Sequence, residues 1–396
     1  MKKHNILHKK NILLLCTSSI LIATSCARFK VDKLKPEVLY TASINQGELS
    51  VKIPQNKSIY YGLPSRVAFS EERLVVPETE NQSIKIFGPN GLETIIASPK
   101  NAKKLIKKKR ALPKGVLAKV KIVSSNLLQF PGMTIAGNDE DFFVLNKVIV
   151  KSDEKKVNIF NDSFTSKTKI PMKGYFKILH FSLKGKLLNE IGRQGQVQLP
   201  FENIIWLDVD KENRLWVLFR NLGQIYLESF AKHSLHFSMN QTECVNTLFS
   251  KVNKEKDIAY NCEYMYPFYD EDKILIIGKV EKTSNNNKTG GYTFKHRVFL
   301  SYDTITKKTK EIFSQLTDPD DYPYLPYDNN HFILWQTKDD YTFKFALYNL
   351  NGDLSNNLQI KLTGKRTAWR TPYLNLNGKI DSIRVRNSKF ELIRWN

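Results

Sequence analysis

The sequence predicts an all-β chain folded as a six-bladed β-propeller, and three observations carry that prediction. Short runs of Val, Ile, Leu, Phe and Tyr recur along the 396 residues, which include 23 Phe and 17 Tyr. Gly, Asn and Asp turns separate the runs, a texture of strands rather than helices. One pattern, best preserved over residues 192–219, recurs six times. A further strand-like run, residues 38–44, stands ahead of the first copy and has no partner unless the two ends of the chain meet.

The best-preserved copy opens on Gly192-Arg193-Gln194-Gly195 and enters through Pro200-Phe201. An apolar run (Ile204, Ile205, Trp206, Leu207, Val209), a polar turn over 210–214 and a second apolar run over 215–219 follow, which is a hairpin pattern. In chain order, copy one spans 62–98, with two strands around 70–73, a third over 83–87, a Pro89-Asn90-Gly91 turn and a fourth over 92–97. Copy two starts at Phe130-Pro131, with a third strand over 175–183, the turn Lys184-Gly185-Lys186 and a fourth strand over 187–192. Copy three adds 224–230 and 236–239 to the hairpin. Copy four covers 266–280 and 296–314, copy five 324–337, 343–354 and 356–362, and copy six 372–387 and 389–395. Four strands per copy are the layout of a propeller blade. The copies average about 62 residues against the roughly 40–50 typical of such repeats. The surplus falls in insertions at 99–121, 151–172, 242–261 and 284–292.

Copy six has three strands where four are needed, and an open ring leaves bare sheet edges. The economical solution places 38–44 as the outer strand of the last blade, a three-plus-one closure. A last blade completed in another way, or a ring of five or seven blades, stays open as an alternative. On these residues the unit resembles the NHL repeat, the blade unit of a class of β-propellers. The resemblance covers most of the chain and is specific in copies one and three.

The N-terminus reads as an address. Lys2, Lys3, Lys9 and Lys10 precede an apolar core at 12–22, and Ala23-Thr24-Ser25 leads to Cys26. That is the layout of a signal peptide, with a core too short for the roughly 20 residues a membrane span needs. The small residues before Cys26 resemble a bacterial lipobox. Ala23 stands where the commonest lipobox has Leu, which suits a relaxed, spirochaete-like form. The resemblance implies cleavage between Ser25 and Cys26 and a diacylglycerol on the Cys26 thiol, with palmitate among the acyl chains. The alternatives are an ordinary signal peptide with an incidental Cys, or an uncleaved anchor. The expected division is a signal peptide at 1–25, a lipidated basic tether at 26–36 and a propeller domain at 37–396. A lipobox ahead of NHL-like repeats is similar to a group of spirochaete lipoproteins without an assigned function. It implies membrane anchorage in the cell envelope, on the periplasmic face or the outer-membrane surface, and implies no reaction.

An exported chain can keep disulfides. Cys244 and Cys262, 18 residues apart, are a candidate pair worth about 3 kcal/mol in the chain-entropy account. Two buried free thiols are the alternative.

Net charge is +22, and removing the four lysines of residues 1–25 leaves +18. Such a field favours anionic partners, and it also serves plain solubility. The sharpest feature outside the repeats is the basic stretch over 100–121, a candidate surface loop. Its core is Lys103, Lys104, Lys107, Lys108, Lys109 and Arg110, and it contains no acid. Anionic lipid headgroups or polyanionic glycans are its expected partners, at about 1 kcal/mol per basic residue near an anionic surface. An export signal leaves nucleic acid out of reach.

Carboxylate groups offer weaker candidates. Asp208, Asp210 and Glu212 alternate as in a calcium loop, but Asn213 and Phe219 stand where Gly and Glu are required, so a hairpin turn is the reading. Asp318, Asp320 and Asp321 lie in a Pro- and Tyr-rich loop. No metalloprotease, thiol-redox, nucleophile-elbow or phosphate-loop motif occurs, and the histidines are scattered. His233 and His236 are expected to face opposite sides of a strand. Trp369, in a polar run, is expected on a rim. No cofactor is implied. The expected role is a lipid-anchored binding or scaffolding module for proteins or anionic polymers. A propeller enzyme with a site in the central channel, of metal-dependent hydrolase or lyase type, and a component of an envelope assembly complex are the alternatives.

Overall fold

A computed structural model describes residues 31–44, 50–52, 64–70, 72–111, 119–151, 172–192, 201–251, 258–284, 291–315, 323–328, 330–339, 341–364 and 367–396. The chain begins with β1 (Val31–Lys33) and β2 (Pro36–Ser43). Blade one contains β3 (Ala68–Ser70), β4 (Arg73–Glu78), β5 (Ser83–Gly88) and β6 (Gly91–Ala97). Helix α1 (Pro99–Ala111) then leads to β7 (Lys121–Ser124), which pairs parallel with β6 as a fifth strand. Blade two is β8 (Phe130–Ala136), β9 (Asp141–Lys151), β10 (Met172–Ser182) and β11 (Leu187–Ile191). Blade three is β12 (Asn203–Val209), β13 (Leu215–Asn221), β14 (Gln224–Ala231) and β15 (Ser234–Asn240), followed by α2 (Gln241–Lys251). Blade four is β16 (Ile258–Pro267), β17 (Lys273–Ser284), β18 (Gly291–Asp303) and β19 (Thr309–Gln315). Blade five is β20 (Pro323–Asp328), β21 (His331–Asp339), β22 (Thr342–Asn349) and β23 (Leu354–Lys361). Blade six starts with two fragments, β24 (Ala368–Trp369) and β25 (Tyr373–Leu374), both paired with β26 (Ile380–Arg386), and continues to β27 (Lys389–Trp395).

The sheets are antiparallel meanders stacked face to face, so the middle strands are buried on both sides. Leu74, Val75 and Val76 of β4, and Ile274 to Ile277 of β17, are all fully buried. The buried apolar clusters trace a closed ring. One joins blades one and two through Val75, Ile86, Phe142 and Phe181, and another joins two and three through Ile178, Ile191, Val217 and Phe219. A large cluster runs from Trp216 and Leu218 of blade three through blades four and five to Ile380 and Ile393 of blade six. The last joins blade six back to blade one through Val385, Leu392, Leu74 and Val76. The structure is therefore a six-bladed β-propeller.

Closure follows the three-plus-one arrangement. β2 pairs antiparallel with β27, in the register Thr41↔Glu391 and Ser43↔Lys389, as the outer strand of blade six. One feature was not anticipated: β1, inside the stretch read as a tether, pairs parallel with β23 on the outer edge of blade five. The amino-terminal segment thus clips two neighbouring blades, and the backbone of Asn396 exchanges hydrogen bonds of 2.8 and 3.0 Å with Lys35. Where blades five and six approach, Gly378 (φ +78°) lies so close to Tyr327 that an added Cβ would meet its carbonyl oxygen at 2.2 Å.

Two insertions contain helices. The basic stretch is a helix, not a loop, from Pro99 to Ala111. Pro99 suits a first helical position, and Ala, Leu and Lys are strong helix formers. Ala102 is fully buried and Leu105 partly, against Ile95, Ala97 and Val120. The insertion at 242–261 similarly holds α2, capped by a reciprocal pair of bonds between Asn240 and Glu243.

Candidate functional site

The inner strands of the blades converge at the centre of the ring. At one end it is filled by the chain's own polar groups. Arg66, just ahead of β3, donates to the Leu207 carbonyl at 2.9 Å, and to Asp208 Oδ2 and Asn375 Oδ1 at 2.5 Å each. Asp208 ends the inner strand of blade three, and its Oδ2 also accepts from the Leu376 amide of blade six at 2.8 Å. Blades three and six are opposite each other in a ring of six, so these bonds cross the axis. Asn375 continues the network to Asp381, which Arg394 clasps at 2.9 and 3.1 Å. Burial lowers the affinity of Arg66 for its proton, but Asp208, with Tyr373 and Asp381, outweighs burial and raises the pKa. The Arg66 guanidinium lies 5.3 Å from the Tyr373 ring centroid. Burial pushes the Tyr373 hydroxyl up, and although the Val67 amide is close, the hydroxyl completes no hydrogen bond.

The alternating carboxylates of 208–212 are thus divided between two structural tasks. Asp208 serves the axis. Asp210 accepts from the Arg214 amide at 2.8 Å, from Arg214 Nε at 2.6 Å and from Trp216 Nε1 at 2.7 Å. Arg214 also pairs with Glu212 and, across the blade boundary, with Asp272. This is a braced hairpin turn with Asn213 at φ +60°, not a cation loop. Among the described residues, no group of three or more His, Cys, Asp or Glu side chains is arranged to hold a metal ion.

A histidine pair that the sequence did not reveal joins blades two and three. His180 Nδ1 lies 2.6 Å from His233 Nε2, so one nitrogen donates and the other accepts. His180 stacks on Phe143 at 4.2 Å. Its Nε2 lies 2.9 Å from Asp141 Oδ2, in ion-pair range but without hydrogen-bonding alignment. Burial, then the neighbouring His180, holds His233 below the usual histidine range. Burial pushes Asp141 up, but His180 and Asn138 outweigh it and hold the carboxyl below its usual value. His233 sits in the tight turn between β14 and β15, and no spacing rule links positions 141, 180 and 233. Nearby in sequence, Glu228 of β14 is a buried carboxyl whose Oε2 has no hydrogen-bond partner, and burial pushes its pKa up to about 7.

The basic residues gather on the outer edge of blade one. Lys103, Lys104, Lys107, Lys108 and Arg110 of α1 are exposed, while Lys109 is half-buried and donates to the Val120 carbonyl at 2.8 Å. Lys121 donates to the Lys184 carbonyl at 2.8 Å, which brings the turn carrying Lys184 and Lys186 of blade two alongside. The cationic tract therefore spans two blades, an extension invisible in the linear sequence.

Cys244 and Cys262 are joined as a disulfide that fixes α2 to the inner strand of blade four. Trp369 is not on the rim. It is buried against Trp395 at 5.8 Å and donates to the Thr363 carbonyl at 3.2 Å, because its ring joins the apolar cluster that runs through blades four, five and six. Cys26, the signal-peptide stretch and Asp318, Asp320 and Asp321 lie outside the described residues. No helix among the described residues is long and apolar enough to cross a membrane.

A six-bladed propeller with a polar lock across its axis and a basic rim defines the class. No known protein family and no curated protein matches the sequence. Among solved structures the chain is similar to the Dos1 propeller, at 11% identity and TM-score 0.37, over 93% of this chain and 95% of that one. It is also similar to the β-propeller domain of the Trilobed protease from Pyrococcus furiosus (10% identity, TM-score 0.36, 84% and 95% covered). A third match is an oligogalacturonate lyase in complex with manganese (10% identity, TM-score 0.36, 82% and 74% covered). At these scores the sheet topology above, not the matches, carries the fold assignment.

Proposed function

We propose that this chain is a lipid-anchored binding or scaffolding module of a bacterial cell envelope, a propeller of NHL-like units held at a membrane through Cys26. The observation that carries the binding reading is the axial lock. The carboxylates that converge from different blades are already engaged by Arg66, Arg394 and backbone amides, so the inner end of the ring is committed to stability. The uncommitted charge lies on the rim, where a partner can reach it. Sequence alone supports the anchor, through the small residues ahead of Cys26.

Metabolic labelling with palmitate tests the anchor. The wild-type chain is expected to take the label and sediment with membranes. Cys26→Ser is expected to lose both properties, and label retained in that variant would sink the anchor. The binding reading is tested by titrating the unacylated chain against envelope phospholipids, envelope glycans and detergent-solubilised envelope proteins. Saturable, salt-sensitive binding to one class is expected. Turnover of a glycan with no stable complex would favour the enzyme reading instead.

A further inference from the structure

We propose that the outer rim carrying α1 is a docking surface for an anionic phospholipid bilayer. The proposal deepens the binding-module reading and rests on it. Over 13 residues, α1 spans about 20 Å at 1.5 Å per residue. At 100° per residue, Lys103, Lys104 and Lys107 fall on the face opposite Ala102 and Leu105, which pack on blade one. Arg110 flanks that stripe. Among the described residues no acid pairs with these four cations, and Lys184 and Lys186 continue the field onto blade two.

Three features favour a bilayer over a linear polyanion. The surface is the convex edge of a ring, and its cations are nearly all lysines, compact point charges suited to a mobile headgroup layer rather than to forked recognition of one polymer. Apolar side chains are exposed on the same stretch of the outer edge. Val38 of β2, Ile106 of α1 and Leu188 of β11 are 47, 39 and 42% exposed, and lie on the outer parts of adjacent blades six, one and two. Interfacial helices combine basic and apolar side chains in the same way. Finally, the amino-terminal strand packs directly beside this blade: Tyr40 of β2 donates to the Gly88 carbonyl of blade one at 2.5 Å. β1 and β2 thus hold the amino-terminal segment on blades five and six, and blade six adjoins the blade that carries α1.

The test uses the full chain with Cys26→Ser, which lacks the thiol proposed to carry lipid, and vesicles of phosphatidylcholine with or without phosphatidylglycerol. Co-sedimentation with the anionic vesicles is expected, with release at about 1 M salt, where screening acts within about 3 Å. Changing Lys103, Lys104, Lys107 and Arg110 together to Gln is expected to lower affinity on the order of a thousandfold, at about 1 kcal/mol per cation. Lys184→Gln with Lys186→Gln is expected to lower it about thirtyfold on the same basis. Replacing Lys103, Lys104 and Lys107 by Arg is expected to preserve binding. Three results would overturn the proposal: equal binding to pure phosphatidylcholine, undiminished binding by the fourfold Gln variant with its melting transition intact, or capture of soluble heparin with no sedimentation on either vesicle. Palmitate labelling reports on the anchor independently, so failure of the docking surface and failure of the anchor are separate outcomes.

Discussion

Glu228 is a carboxylic acid held where a carboxylate is costly. Its pKa is about 7 in the folded chain against an ordinary value of 4.5, and burial is the cause. Between those two pH values the folded chain keeps a proton that the unfolded chain has lost. Stability from this group is therefore fully present below pH 4.5, falls as pH rises towards 7, and is level above it. At about 1.4 kcal/mol per pKa unit the full swing is roughly 3 kcal/mol. Glu228→Gln keeps the shape without the charge, so it is expected to be the more stable protein at pH 8 and to lose that part of the slope. Identical pH–stability curves for the two chains, from denaturant melts, would contradict the assignment. Arg66 and Asp208 behave oppositely, because each is costly only without the other. Asp208→Asn leaves a buried guanidinium uncompensated and is expected to cost about 3–5 kcal/mol. The pair Arg66→Met with Asp208→Leu is expected to cost clearly less than the sum of the single changes in a double-mutant cycle. Simple additivity would show that the two side chains do not meet. Asp208 was visible in the sequence, as one member of an apparent cation loop. Its partner, 142 positions away, becomes legible only once the ring brings blades one, three and six together.

The strands were legible because turn residues punctuate them: Asp210 to Arg214, Lys184-Gly185-Lys186 and Pro89-Asn90 all fall between paired strands. The helices were less so. In α1 the apolar face is only Ala102 and Leu105, since the helix covers the small patch of Ile95, Ala97 and Val120 rather than a full core. Seven basic residues in such a helix look like a solvated loop. The packing of α2 is equally local. It seats Leu248 against Gly278, where an added Cβ would lie 2.5 Å from the leucine side chain. The 244–262 disulfide closes this element onto blade four. Replacing both cysteines by Ala is expected to lower stability by about 3 kcal/mol, the loop-closure contribution for a separation of this size. A matching loss is expected when reductant is added to the wild-type chain, read as a shift in the denaturant midpoint. If reductant moves the midpoint of the double Ala variant as far as that of the wild type, the bond is not the source of the effect.

At the scale of the whole ring, two devices oppose opening: a seam at the circumference and a lock across the axis. The seam was legible in outline, because copy six lacked a strand and 38–44 lacked a partner. Its second half was not, because β1 is only three residues long and sits among charged neighbours that suggest a tether. The two strands differ in what they protect. β2 covers β27, whose Phe390 and Leu392 are fully buried, and Ala42 and Ile44 fill the cluster between blades six and one. β1 adds three parallel pairs to an edge that blade five already completes with β23. A chain beginning at residue 36 is therefore expected to fold and to melt cooperatively, with a transition lowered by a few degrees, of the order that about 1 kcal/mol produces in a large domain. A chain beginning at residue 45 bares the outer edge of blade six and the seam with blade one. It is expected to lose cooperative melting and to aggregate through the exposed edge. The discriminating measurement is the thermal transition of both chains, followed by circular dichroism and light scattering. A residue-45 chain that melts as sharply as the full one would mean that the axial lock alone holds the ring closed.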